Sequence, residues 1–350
     1  MFDTPLEARE FIEERVDADQ VDMLVASLKP VISFSRKDVD RKGGSRIGGA
    51  PDLPPGMAWP RRPLPSNLDE IANRGNAEAA VEVKAHLAAG MPYAFFVQVD
   101  LAEAGALGSV AVPLPDHGRL LFFYDLIAGP YDTGAESARV IWDESPAETL
   151  IGQEMPDDLR AATTDHRREM NEIHARYGQG PETRDTNAPE PGTPYGGPTQ
   201  PVAPKTALQL LPPFSLEFET TGALATTYTA SSSENSDDEE FKMAYDELFY
   251  DLPDGNPPNQ LLGAPVPVQD DPRYDAVVVT EFGKQHLSRD EWQKNRAAVF
   301  KKARDWQLLL QIDIPKWMQE NGEGTVYFLI RRSDLEKRDF SRVVAVYQQT

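Results

Sequence analysis

The chain has no cysteine anywhere in its 350 residues. Disulfides, thiolate metal centres and cysteine nucleophiles are excluded together, and the composition suits a reducing compartment. Long apolar runs are also missing, and none approaches the ~18 residues that suggest a membrane span. The amino terminus, MFDTPLEAREFIEERVDADQ, is acidic and amphipathic. It lacks the basic start and unbroken apolar stretch of a secretory leader. A cytoplasmic protein without a membrane partner is the expectation.

Histidine is scarce. There are five (His86, His117, His166, His174 and His286), and the nearest two stand eight apart. His-Glu-x-x-His spacing is therefore absent, as are Gly-x-Ser-x-Gly, Gly-x-Gly-x-x-Gly and the P-loop lysine. No metal and no cofactor are expected. Positive charge is in short supply as well: 35 basic side chains against 57 acidic ones give a formal charge of −22. Such a surface repels nucleic acid, whose binding depends on Lys and Arg displacing counterions. It aids solubility and suits a basic protein partner, a toxin or nuclease among the candidates.

Proline and glycine, 30 and 24 residues, are plentiful and predict many turns rather than a helical bundle. Apolar spacing predicts helices over 5–17 and 19–29, and VISFS reads as a strand. GGSRIGGAPDLPPGMAWP, residues 43–60, holds too many Gly and Pro for a regular element and reads as a long shaped loop. A helix over 67–90 follows, with Gly75 placed to split it and Gly90 to cap it. YAFFVQVDL, GRLLFFYDL and ARVIWD read as strands separated by turns, which favours an antiparallel sheet. Residues 146–178 read as mainly helical. Residues 181–204, with seven prolines and three glycines, read as an extended linker. FKMAYDELFYDL offers a helix with Phe241, Tyr245, Leu248 and Phe249 on its apolar side. Ser288 and Glu291 form a capping box before another. WQLLLQIDI, GTVYFLIRR and RVVAVYQ close the chain as strands.

Four landmarks recur in order. Gly-Ala-Pro stands at 49–51 and at 263–265, and Gln-x-Asp follows 49 residues after Gly49 and 48 after Gly263. A glycine then opens an aromatic strand (Gly118, Gly324), and Arg-Val-aliphatic closes each set (Arg139, Arg342). This pattern predicts an internal duplication. The expected fold class is α+β, β-rich and mainly antiparallel, with two similar halves packed as one body. The expected division is a helical extension over 1–42, a first half over 43–145, a helix plus linker over 146–206 and a second half over 207–350.

RIGGAPDLPPGMAWP, FFVQVDL before GRLLFFYD, NQLLGAP, WQLLLQID and GTVYFLIRRSDLEKRDFSRVVAVYQ together resemble the bacterial YwqG-like family, a domain of unknown function. The resemblance covers roughly residues 43–143 and 257–349 and implies a β-rich α+β fold with an internal duplication. It supplies no activity and no catalytic residues.

Two groups of residues are candidates for chemistry. Gln98 with Asp100, and Gln311 with Asp313, are each two apart on a strand and so share a face. Symmetry could gather all four at a central axis, giving an oxygen site for a small ligand or a divalent cation between the halves. The competing reading, which carries more weight, makes each Asp a cap and each Gln a partner for buried backbone groups. Around the loop, Arg46, Trp59, Arg61 and Arg62 could clamp an anionic or planar ligand, or could simply pack and pair. With no catalytic signature present, a non-enzymatic binding protein is the leading expectation, and an enzyme with a site between the halves is the alternative.

Overall fold

The computed structural model describes residues 1–177, 190–230, 239–252, 258–319 and 322–349. Among them are twelve strands: β1 (Lys29–Arg36), β2 (Arg46–Ile47), β3 (Asp52–Leu53), β4 (Ala94–Asp100), β5 (Arg119–Tyr124), β6 (Ala138–Asp143), β7 (Ile151–Gly152), β8 (Gln200–Gln209), β9 (Gln260–Leu261), β10 (Trp306–Asp313), β11 (Thr325–Arg331) and β12 (Val344–Gln348). Ten form one antiparallel sheet in the order β12-β11-β10-β9-β1-β8-β2-β4-β5-β6, while β3 pairs with β7. The fold is α+β and β-rich.

The centre of the sheet is the β1–β8 pair, running from Lys29 opposite Gln209 to Arg36 opposite Val202. Outside it, β1 pairs with β9 and β8 with β2, so each central strand joins a strand far away in the sequence. Both flanks then continue in the same succession of a long strand, an aromatic strand and a last strand. The sheet curls until its flanks meet across one core: Phe96 stacks on Trp317 with centroids 4.1 Å apart, and Phe122 meets Phe328 at 5.2 Å. These rings are fully buried, and each contributes about 1.5–3 kcal/mol of transfer free energy before entropy is charged against it.

Local sequence sets the details. Gly118 and Gly324 open β5 and β11 with φ of +73° and +83°. A Cβ on either would press within 2.4 Å of the Asp143 carbonyl oxygen or 2.7 Å of that of Gln348. The helix expected over 67–90 is two, Leu68–Ala72 and Ala77–Ala89, because Gly75 fits against Tyr131 and Asn76 starts a new cap. Ser288 and Glu291 form the expected capping box, and Phe241, Tyr245, Leu248 and Phe249 are buried as their spacing predicts.

The linker expectation needs correction from residue 190 onward; residues 181–189 lie outside the described ones. Gly192 donates to the Met318 carbonyl at 2.7 Å, and the chain enters β8 at Gln200 despite two prolines. Val202 donates to Ser45, and Leu208 exchanges bonds with Phe2, so even-numbered residues of β8 turn away from β1. Pro204 shares that side beyond the end of β2, where its missing N–H leaves no ladder bond unmade.

The outer faces are covered differently. The proline-rich loop over 43–63 lies on β4 and β5, with Leu53 and Trp59 against Phe95 and Phe123. Helices Pro272–Val277 and Arg289–Ala303 cover β10 to β12. Helices Pro5–Glu13, Ala18–Ser27, Gly222–Ala230 and Glu239–Tyr250 share a core of their own and form a cap. No described helix is long and apolar enough to cross a membrane.

Candidate functional site

A bulge at Phe96 interrupts β4 against β5, and another at Leu309 interrupts β10 against β11. Beyond each bulge Val97 and Val99, or Leu310 and Ile312, face the shared core. Gln98 and Asp100, like Gln311 and Asp313, therefore face outward beneath the loops.

Each glutamine is wholly buried and clasps the backbone of its own Gly-Ala-Pro loop. Gln98 Oε1 accepts from the Asp52 N–H at 2.9 Å, and its Nε2 donates to the Gly44 carbonyl at 2.7 Å. Gln311 Oε1 accepts from the Val266 N–H at 2.9 Å, and its Nε2 donates to the Pro258 carbonyl at 2.8 Å. Asp52 and Val266 are the residues directly after the two Gly-Ala-Pro triplets. The strand ends match too: Asp100 N–H donates to Ser45 Oγ and Asp313 N–H to Asn259 Oδ1, both at 2.9 Å.

The aspartates differ. The Asp100 carboxylate caps helix Leu101–Gly105 through the Ala102 and Glu103 N–H groups and pairs with Arg41 at 2.6 Å. Asp313 leads into helix Ile314–Met318, and burial pushes its carboxyl up to about 6 although Lys316 opposes the rise. Each Gln-x-Asp pair sits beneath its own loop and faces away from the shared core, and strands β9, β1, β8 and β2 stand between β4 and β10 in the sheet order. Among the described residues no three His, Asp or Glu side chains converge to hold a metal ion.

Arg46 is buried inside the loop, donating to Asp52 at 2.5 Å and to the Ala50 and Arg41 carbonyls at 3.1 Å. Trp59 donates to the Tyr93 carbonyl at 2.8 Å, and its ring meets Phe123 edge-on at 5.8 Å. Arg62 is buried between Asp125, at 2.9 Å, and Asp132. Only Arg61 of the four stays at the surface.

The network around Arg62 is the feature that sequence reasoning missed. Arg74 donates to Asp132 at 3.0 Å, and His86 Nε2 lies 3.0 Å from Asp125. Burial works against the charge on Asp125, yet His86, Arg62 and the Ala128 N–H together bring its carboxyl down to about 2. The one available signal was a carboxylate directly after the aromatic run of β5. Distant parts of the chain also meet here: Gln285 brackets Thr133 with two bonds of 2.8 and 3.0 Å, and Gly134 bridges Ala345. A cavity of about 620 Å³ at that joint is lined by Arg74, Asp132, Glu136, Lys284 and His286.

Asp275 supplies a pH test. Burial lifts its carboxyl to about 6, against a hydrogen bond from Gln348. A carboxyl raised on folding leaves stability greatest below about pH 4 and weakens it as pH climbs through 6. Asp275→Asn should therefore be the more stable protein at pH 7.5, by up to about 3 kcal/mol for two pKa units. The advantage should vanish at pH 4. Urea midpoints at the two pH values measure it, and equal differences at both would refute the assignment.

The chain belongs to the family described as Domain of unknown function (DUF1963), whose model matches residues 45–348. The match starts after β1, one of the two central strands of the sheet. No curated protein matches the chain.

Proposed function

We propose that this member of a family of unknown function is a non-enzymatic, cytoplasmic binding protein that receives a basic protein on its acidic helical cap. The observation carrying this reading is where the charge sits. Among the described residues, 1–29, 216–230 and 241–252 hold 13 of the chain's 57 acidic side chains but only four of its 35 basic ones. Their helices share one core through Ile12, Leu24, Leu224 and Tyr245, so the excess is concentrated on a single layer. All eight acids of residues 1–29 are exposed. A concentrated field of one sign speeds encounter with a partner of the other and fixes its orientation. Gln98, Gln311, Arg46 and Trp59, nominated for chemistry, are meanwhile engaged in bracing loops, which supports a binding role over catalysis. A basic toxin is the narrower form of this partner.

The same reading takes the two halves as copies of one unit. The paired Gln clasps, the bulges at Phe96 and Leu309, and the opening glycines of β5 and β11 support it.

The test is a calorimetric titration with a basic protein recovered on the immobilised chain. Affinity should fall about tenfold or more between 50 and 300 mM NaCl, because surface charges are screened within a Debye length. It should fall similarly, at low salt, when Glu10, Glu14, Asp22 and Glu247 are changed to lysine. Binding indifferent to salt and to those four changes would refute the cap as the docking face.

A further inference from the structure

We infer that a groove between the proline-rich loop and β6, apart from the acidic cap, binds a monoanionic organic molecule with a flat or branched apolar body. The groove encloses about 570 Å³, and Met57, Pro60, Tyr93 and Ile141 give it an apolar floor between Arg61 and Arg139. That volume falls within the range of small-molecule sites, which combine an apolar lining with a few placed polar groups.

The walls are built rather than incidental. Trp59, just behind the groove, is fixed by its bond to the Tyr93 carbonyl and by the Phe95 and Phe123 rings. Arg61 bridges Pro92 through its backbone, and Tyr93 Oη donates to the Glu136 carbonyl at 2.7 Å. A ligand would meet a preformed surface, which lowers the ordering cost of binding.

Arg139 decides the charge. Val140 faces the shared core, so Arg139 and Ile141 point outward into the groove. Arg61 is partly neutralised by Asp158 at 2.7 Å. Arg139 is exposed, and its guanidinium, unlike its ladder backbone, makes no ion pair or hydrogen bond with the described residues. In a chain where acids outnumber bases 57 to 35, a guanidinium with no carboxylate partner, set over an apolar floor, is free to take an anion. Glu136 at one end and Asp158 at the other repel additional negative charge, so a carboxylate or sulfonate fits and a polyphosphate does not.

Anilinonaphthalene sulfonate, a monoanion with two aromatic systems, is a suitable probe. Its fluorescence titration should saturate at one site per chain. Affinity should drop about tenfold in Arg139→Gln, the loss expected for one charge-assisted bond. Arg139→Lys should recover part of it, Ile141→Glu should abolish binding, and Arg36→Gln, at an exposed arginine outside the groove, should change nothing. The uncharged parent amine should bind weakly to all. The inference is overturned if binding does not saturate, if Arg139→Gln binds as wild type does, or if the neutral compound binds equally well. Should Ile141→Glu fail to fold, the exposed Arg139→Gln still decides the matter.

Discussion

Arg62→Met is expected to cost about 3–5 kcal/mol of stability at pH 7, the penalty for removing one partner of a buried ion pair. The guanidinium is almost fully enclosed and serves Asp125 and Asp132 together. Methionine fills much of the same space, so the loss comes from charge rather than from a cavity. Asp125 would keep His86 and the Ile127 and Ala128 N–H groups, while Asp132 would keep Arg74. The pH dependence separates this cause from packing. A carboxyl held down to about 2 contributes stability above the unfolded pKa near 4 and loses it as pH falls towards 2. Without Arg62 that carboxyl rises, so the gap between variant and wild type should narrow from pH 7 to pH 3. Denaturant midpoints across that range provide the measurement. A cost below about 1 kcal/mol, or one independent of pH, would show that the network is not what holds this joint.

The second large effect belongs to the two glutamines. Gln98→Leu leaves the Asp52 N–H and the Gly44 carbonyl buried and unpaired; Gln311→Leu does the same to Val266 and Pro258. Each should cost about 2–4 kcal/mol, since an orphaned buried group forfeits its full desolvation penalty. Similar losses are expected at both sites because the bonds to backbone match. Glutamate separates them. Gln98 Nε2 also lies 3.1 Å from the Asp52 carboxylate, so Gln98→Glu places two carboxylates together. Gln311→Glu meets no carboxylate among its bonded partners. Gln98→Glu should therefore be the less stable of the two at pH 7 and should recover more on acidification. Hydrogen exchange at the Asp52 and Val266 amides would show whether each loop loosens where its clasp is cut.

That Gln98 and Gln311 would each bond buried backbone was legible, because a buried amide in an apolar strand has to bond something. Which backbone it would be, the two Gly-Ala-Pro loops, was not. The long strands announced themselves as apolar runs bounded by Gly and Pro. Helix ends were readable at Ser288 and Gly90, where capping chemistry is local. What escaped notice was non-local or too short. The two-residue strands β2 and β9 are shorter than any periodicity can register. Strand β8 hid behind its prolines, because only the position of its neighbours makes Pro204 harmless. Arg62 and Asp125 lie 63 residues apart, and nothing in either segment points to the other. The free state of Arg139 likewise depends on which carboxylates fold close by.

The exchange of central strands has a consequence for the order in which the molecule can be made. β1 is complete once Arg36 has been added, but its partners are Val202–Gln209 and Gln260–Leu261. At ~5–20 residues per second, synthesis leaves that strand with two open edges for roughly ten to thirty seconds. Strands β2, β4, β5 and β6 pair among themselves within residues 46–143 and can assemble early. The centre of the sheet must wait for β8 and β9, and the contacts that then form with β1 are of high sequence separation and slow to nucleate. A cut between the halves would leave β1 on one fragment and β9, which it pairs with, on the other.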